Sequence, residues 1–208
     1  MSVTRDQAPD LRSRARENLR AEVAEAAFNV FAERGFDNVT ATEVAEAAGI
    51  SRASFFRYFD SKEDAVFVAQ EQMGAEIAAR MRERPAGEDA WTALRRSFDS
   101  VVTVYQHSPS HALARLRLIR CTPNLRVHQL DRLDQWKELI GAALAERLAL
   151  DRPDLRVEAL VGASISALSA ASRRWAESDG ADDLIGLIDA AFAAIAAPFP
   201  VLGAPTPS

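Results

Sequence analysis

The stretch that decides the fold is residues 40–62, TATEVAEAAGISRASFFRYFDSK. Thr40 and Thr42 stand ahead of the apolar trio Val44, Ala45 and Ala48, Gly49-Ile50-Ser51 breaks that pattern, and an aromatic segment runs from Arg52 to Phe59. A hydroxyl N-cap, one or two helical turns, a glycine and a second hydroxyl N-cap predict two short helices joined by a tight turn. Gly49 falls where such a turn commonly needs φ > 0, and Ile50 is placed to plug the space between the helices. This is the helix-turn-helix arrangement, whose second helix lies in a DNA major groove and presents side chains from its N-terminal half.

Within the second helix Arg52, Ala53, Ser54 and Arg57 are the polar or small positions able to face base edges. Arg52 can pair with guanine O6 and N7, and Ser54 with either base class. Phe55 and Phe59 read as core, since a buried aromatic locks a short helix onto its neighbours. Thr40 and Thr42 open the first helix, where a hydroxyl and free backbone N–H groups either cap the helix or hold a phosphate. The net charge of −5 gives no general affinity for nucleic acid, but residues 52–62 carry Arg52, Arg57 and Lys62 against Asp60 alone. Residues 11–20 carry Arg12, Arg14, Arg16 and Arg20 against Glu17. A DNA reader needs local positive charge at the phosphates rather than a basic chain. The N-terminal arginines read either as an arm touching phosphate or minor groove, or as a solvated charged terminus.

Upstream, Leu19, Val23, Ala26, Ala27, Val30 and Phe31 recur at helical spacing and predict a scaffold helix from Ser13 to Arg34, stopped by Gly35. Phe36 and Val39 then pack beneath the next two helices. Downstream, a helix over 62–82 links head to body until Pro85-Ala86-Gly87 breaks it, and the functional boundary is expected inside that stiff helix. Trp91, Leu94, Phe98, Val101, Val102 and Tyr105 stripe a helix over 88–106. His107 and His111 flank Pro109, so they are expected in a turn rather than on one metal-binding helix face.

The next helix, 110–120, buries Ala112, Leu113, Leu116 and Ile119, and its spacing brings Arg120 close to that face. An inward arginine needs an acid, a route to solvent or a bound anion. A long helix over 124–150 places Gln129 and Arg147 on its inner face beside Leu133, Trp136 and Ile140. With Arg120 they are candidates for the few polar groups of an otherwise apolar pocket. Helix 155–177 is apolar on one side and small on the other, at Ala159, Gly162, Ala163, Ser166 and Ala170, so both sides must be covered. An Ala-rich helix over 181–197 follows, then a loose proline-rich tail.

Residues 15–65 resemble the DNA-binding domain of TetR-family regulators: GISRASFFRYFDSKEDA, preceded by NVTATEVAEAA and by a helix ending FAERGFDNVT, keeps the turn, aromatics and closing SK at family spacing. The segment TPNLRVHQLDRLDQWKELIGAALAERL resembles the C-terminal domain of the mycofactocin-regulator type, associated with acyl-CoA-like ligands. The resemblance implies an all-α fold of about nine helices. Its expected divisions are a disordered arm (1–12), a helix-turn-helix domain (13–62), a helical effector-binding and dimerisation domain (63–197) and a tail (198–208). It further implies that Tyr58 lies near the DNA backbone and Lys62 on a phosphate. The family commonly has tyrosine where this chain has Phe56, so a hydroxyl contact is lost there; Phe56 touches a thymine methyl or sugar, or simply packs. The family layout also implies an effector pocket lined by Phe98, Val102, Tyr105, Leu116 and Trp136, and a homodimer through the last two helices.

The apolar share of 48% supports a sizeable core, and no window approaches 18 uninterrupted apolar residues, so no membrane span is expected. The single cysteine, Cys121, excludes an internal disulfide, suits a reducing cytoplasm and reads as half-buried. No nucleophile elbow, phosphate loop or metal-ligand cluster is present, so neither catalysis nor a cofactor is expected. The reading is a ligand-responsive DNA-binding regulator, a repressor released by an acyl-CoA-like effector; the alternative is a ligand-independent, constitutive DNA-binding dimer.

Overall fold

The computed structural model describes residues 11–197, with side chains from Arg14 onward. Expectations for residues 1–10 and 198–208 therefore lie outside the described residues. All regular structure among the described residues is helical. The helices are α1 (Leu11–Arg34), α2 (Ala41–Ala47), α3 (Arg52–Tyr58), α4 (Lys62–Phe67), α5 (Met73–Glu83), α6 (Ala90–Ser97), α7 (Asp99–His107), α8 (Pro109–Cys121), α9 (Pro123–Arg147), α10 (Leu155–Glu177) and α11 (Leu184–Ala196). Every predicted helix is present, and two of them are split.

The first split falls in the helix expected over 62–82. A 3-10 turn, Val68–Gln70, separates α4 from α5. The run Val66-Phe67-Val68 is β-branched and aromatic, with low intrinsic helix preference, so tertiary packing decides its geometry. The second falls at Phe98, between α6 and α7. There the Ser97 hydroxyl donates to the Ala93 carbonyl at 2.7 Å and the Ser100 hydroxyl to the Ser97 carbonyl at 3.1 Å. Serine hydroxyls returning to the preceding turn compete with the backbone ladder and bend helices.

The chain divides into two compact units, the first comprising Met1–Gln72 with Arg117–Asp131. Its core gathers Val23, Ala27 and Phe31 of α1, Phe36 and Val39, Val44 of α2, Phe55 and Phe59, and Val66 and Phe67. Ile119 of α8 and Leu125 of α9 complete it, both almost wholly buried. The second unit comprises Met73–Leu116 with Arg132–Ser208. Its core is built by Ile77 and Met81 of α5, Leu94, Phe98 and Val102, Trp136, Ile140 and Leu144 of α9, and Val161, Ile165 and Ile188 of α10 and α11.

Within this second unit α10 and α11 pack along one another. By length and composition alone α10 could cross a membrane, yet 44% of its apolar window is buried in the fold. Its buried side carries Val157, Val161, Ile165, Leu168 and Trp175. Ala159, Ser166 and Ala170 of the small side are exposed, with Gly162 and Ala163 half-buried.

Candidate functional site

The helix-turn-helix is assembled from local caps. Thr40 begins α2 with a reciprocal capping box: its hydroxyl accepts the Glu43 N–H, while Glu43 accepts the Thr40 N–H at 2.8 Å. The Thr40 hydroxyl also donates to the Glu43 carboxylate at 2.8 Å, so capping occupies it. Thr42 is exposed in the first turn of α2. Gly49 has φ +69°, the left-handed turn conformation expected there. Ile50 packs on the core. Ser51 caps α3, accepting the Ser54 N–H at 3.1 Å and donating to the Ser54 hydroxyl at 3.1 Å.

This cap fixes what α3 shows to the outside. Arg52, Ala53, Phe56 and Arg57 are exposed together, as helical spacing places them on one face, while Phe55 is buried on the other. Ser54, expected at base edges, is half-buried and engaged with Ser51. The Arg52 guanidinium lies 4.8 Å from the Phe56 ring centroid, and Phe56 is 40% exposed. Phe56 thus neither packs inside nor offers a hydroxyl; it braces Arg52, a cation over an aromatic face. Half-buried Tyr58 has its ring beside Arg57, 5.2 Å from the centroid to the guanidinium.

Lys62 points inward. Its ammonium donates to the Phe36 carbonyl at 2.8 Å and the Val39 carbonyl at 2.9 Å and sits 4.2 Å from the Phe36 ring centroid. A lysine brings three donors, and two here close the turn between α1 and α2 rather than point outward to a phosphate. The N-terminal arginines also differ from a free arm. Arg20 donates to the Tyr58 carbonyl at 3.1 Å and grips both carboxylate oxygens of Glu71. Their i, i+4 spacing on α1 was the available signal that Arg16 and Arg20 act on one face.

A helical head with a glycine turn, a capped second helix and an exposed Arg52/Ala53/Phe56/Arg57 face is a DNA-reading arrangement. Residues 23–67 match the family model for bacterial regulatory proteins of the tetR family, and residues 88–200, more than half the chain, match that for the MftR C-terminal domain. The chain belongs to the TetR family of transcriptional regulators. It is 26% identical over 174 residues to the transcriptional regulator TcmR of Streptomyces glaucescens, covering 80% of this chain and 77% of that protein. It is 27% identical over 198 residues to MftR of Mycobacterium tuberculosis, named for mycofactocin biosynthesis, covering 92% of each. Among solved structures, the TetR-family repressor FadR of Thermus thermophilus, in complex with lauroyl-CoA, superposes with a TM-score of 0.60 at 24% identity, covering 91% of this chain and 99% of that one. That last likeness concerns the fold alone. TetR-family regulators bind DNA operators and act as dimers with small-molecule effectors, and the family is not enzymatic.

The residues expected to line an effector pocket are distributed unevenly in this TetR-family body. Phe98, Val102, Tyr105 and Trp136 are all buried in the core of the second unit, with Leu116 packed against them. Trp136 is 5% exposed, and no acceptor among the described residues reaches its indole Nε1. Gly74 of α5 backs the ring so closely that a Cβ there would lie 2.5 Å from Trp136 Cδ1. Burial pushes the Tyr105 hydroxyl up to about 12, against the opposing charge of Arg115. Tyr105 also stacks on Trp175 at 5.8 Å between centroids.

The polar candidates are placed differently from expectation. Arg120 is exposed: the buried side of α8 carries Ala112, Leu113 and Ile119 as expected, with Leu116 half-buried, and the arginine beside it with a buried Nε is the half-buried Arg115. The 112, 115, 116, 119 spacing was the signal for this. Gln129 is half-buried in the first unit. Arg147 donates to the carbonyl of Arg84 at 3.0 Å and to those of Pro85 and Glu88, which terminates α5 and shapes the following loop. Sequence reading did not find Arg95, 6% exposed, which bonds Asp99 at 2.6 Å and also Asp189 of α11. Cys121, expected half-buried, ends α8 exposed, and the neighbouring Thr122 takes the buried place. His107 ends α7 and His111 lies in the first turn of α8, so the pair is split between helices.

Proposed function

We propose that this regulator is a repressor, holding a pseudo-palindromic double-stranded operator as a homodimer and leaving it when a small apolar, acyl-CoA-like effector enters the second unit. The observation that carries the effector reading is the Trp136 indole N–H, buried in an apolar core with no acceptor among the described residues. A buried unsatisfied donor costs about 1–3 kcal/mol, which a ligand carrying a carbonyl or thioester oxygen would offset. Such a ligand favours the conformation that offers it this contact, and the recognition helices then no longer match successive major grooves. The lauroyl-CoA bound by the FadR relative supports the same ligand class. On the DNA side, Arg52 reads a base edge braced by Phe56, Ala53 and Arg57 lie along the groove, and Thr42 meets a phosphate. The outward small face of α10, continued by α11, forms the dimer contact, and the protein works in the cytoplasm.

The test begins with a duplex selected by the protein from a random-sequence pool. Fluorescence anisotropy on that duplex is measured with saturated acyl-CoAs of increasing chain length, alongside thermal shift of the protein alone. Release from DNA by one chain-length class, matched by a raised melting temperature, is the expected outcome. Trp136→Phe keeps an aromatic ring, a smaller one, and removes the donor, and should weaken that effector about tenfold while DNA affinity holds. Tight DNA binding indifferent to every acyl-CoA, with no thermal shift, would instead identify a constitutive, ligand-independent regulator.

A further inference from the structure

We propose that Arg20 is a positioning residue for DNA recognition, tying the carbonyl end of α3 to the Glu71 carboxylate, so that the segment Val68–Gln72 sets the aim of the recognition helix. The proposal rests on α3 being the reading helix and is independent of the effector.

The end of α3 has an unmet need. A helix leaves its last carbonyls without intrahelical donors, and in a helix of seven residues these are a large share of the whole. Phe59 closes only one of them, donating its N–H to the Phe55 carbonyl. The α1 arginines reach the last two: Arg20 Nε donates to the Tyr58 carbonyl at 3.1 Å, and Arg16 approaches the Arg57 carbonyl at 3.5 Å. A cation at a helix C-terminus also complements its dipole. The Arg20 guanidinium lies 5.2 Å from the Phe59 ring centroid, which restricts it from one side.

The other edge of the guanidinium is committed to Glu71, in a paired geometry that fixes the plane of both groups. Both side chains are less than one-third exposed. Glu71 follows the 3-10 turn Val68–Gln70 directly and precedes Gln72, where the first unit gives way to the second along the chain. One rigid, forked side chain thus bonds the end of the reading helix and the exit of its unit together. Lysine can satisfy either partner but not hold both in one plane. A movement of Glu71 therefore turns α3 about its C-terminal end, which shifts Arg52 and Phe56 against the bases.

Arg20→Ala, Arg20→Lys, Glu71→Ala and Arg52→Ala are compared with the unaltered protein on the selected duplex and on a scrambled duplex, across a salt series. Melting temperatures are recorded in parallel. Positioning predicts that Arg20→Ala and Glu71→Ala each lose about tenfold on the selected duplex and less than about twofold on the scrambled one, with the salt slope unchanged. Arg20→Lys falls between. Three results would overturn the proposal. If Arg20 touches phosphate, Arg20→Ala weakens both duplexes alike and lowers the salt slope by about one, while Glu71→Ala strengthens both. If the pair is only a staple, melting temperatures fall and both affinities stay. If Glu71→Ala alone leaves specificity intact, the link to the exit segment is absent, and this variant decides the matter should Arg20→Ala fail to fold. Arg52→Ala controls the premise: unchanged specificity there removes α3 as the reader without bearing on the Arg20 contacts.

Discussion

Glu43 accepts the Thr40 backbone N–H, faces Arg34 and accepts the Thr40 hydroxyl, and together these hold its carboxyl down to about 2 from an ordinary 4.5. The folded carboxyl is the stronger acid, so its contribution to stability is complete above the ordinary value and is lost as pH falls toward about 2. Glu43→Gln should therefore lower the melting temperature at neutral pH and flatten its decline between pH 4.5 and 2. Parallel thermal melts across that window check this, and parallel declines in both proteins would refute it. At the same scale, Phe56 shows how a substitution within a family pattern can change a role rather than delete one. A tyrosine hydroxyl is lost, and an aromatic face that holds Arg52 remains.

Lys62 joins the start of α4 to the turn between α1 and α2 through two carbonyls. Lys62→Met keeps much of the stem and removes the donors, and should lower stability by about 1–3 kcal/mol. Because the ammonium is turned inward, the salt slope of DNA binding should stay unchanged; a fall of about one unit would return Lys62 to the phosphates. The helices of the head were legible because their signals are local. Thr40, Ser51 and Ser61 each cap within three residues, and Gly49 marks its own turn. The direction of long charged side chains was not legible, since Lys62, Arg20 and Arg147 each find acceptors far along the chain. The breaks at Val68 and Phe98 were hidden for a related reason, as both stretches keep an unbroken apolar period while the backbone bends beneath it. In the body, the apolar stripe predicted which large side chains are buried, but not which flanking arginine lies against it: Arg120 is exposed and Arg115 half-buried.

At the scale of the molecule, the outward small face of α10 is the feature that asks for a second chain. A Cβ built at Gly162 meets nothing within 4 Å, so a side chain there leaves the helix into open space, and Gly162→Trp should obstruct a partner laid against that face. Light scattering after size exclusion should then report a monomer with an unchanged circular dichroism spectrum and weakened operator binding; a dimer of unaltered affinity would move the interface elsewhere. The discontinuous make-up of the first unit has a consequence during synthesis. Its core is closed by Ile119 and Leu125, which the ribosome adds long after the helix-turn-helix itself. At about 5–20 residues per second, several seconds pass between translation of Gln72 and of Leu125. Through that interval the nascent head has its caps but not its full apolar cover, so competent DNA binding waits on translation of the body.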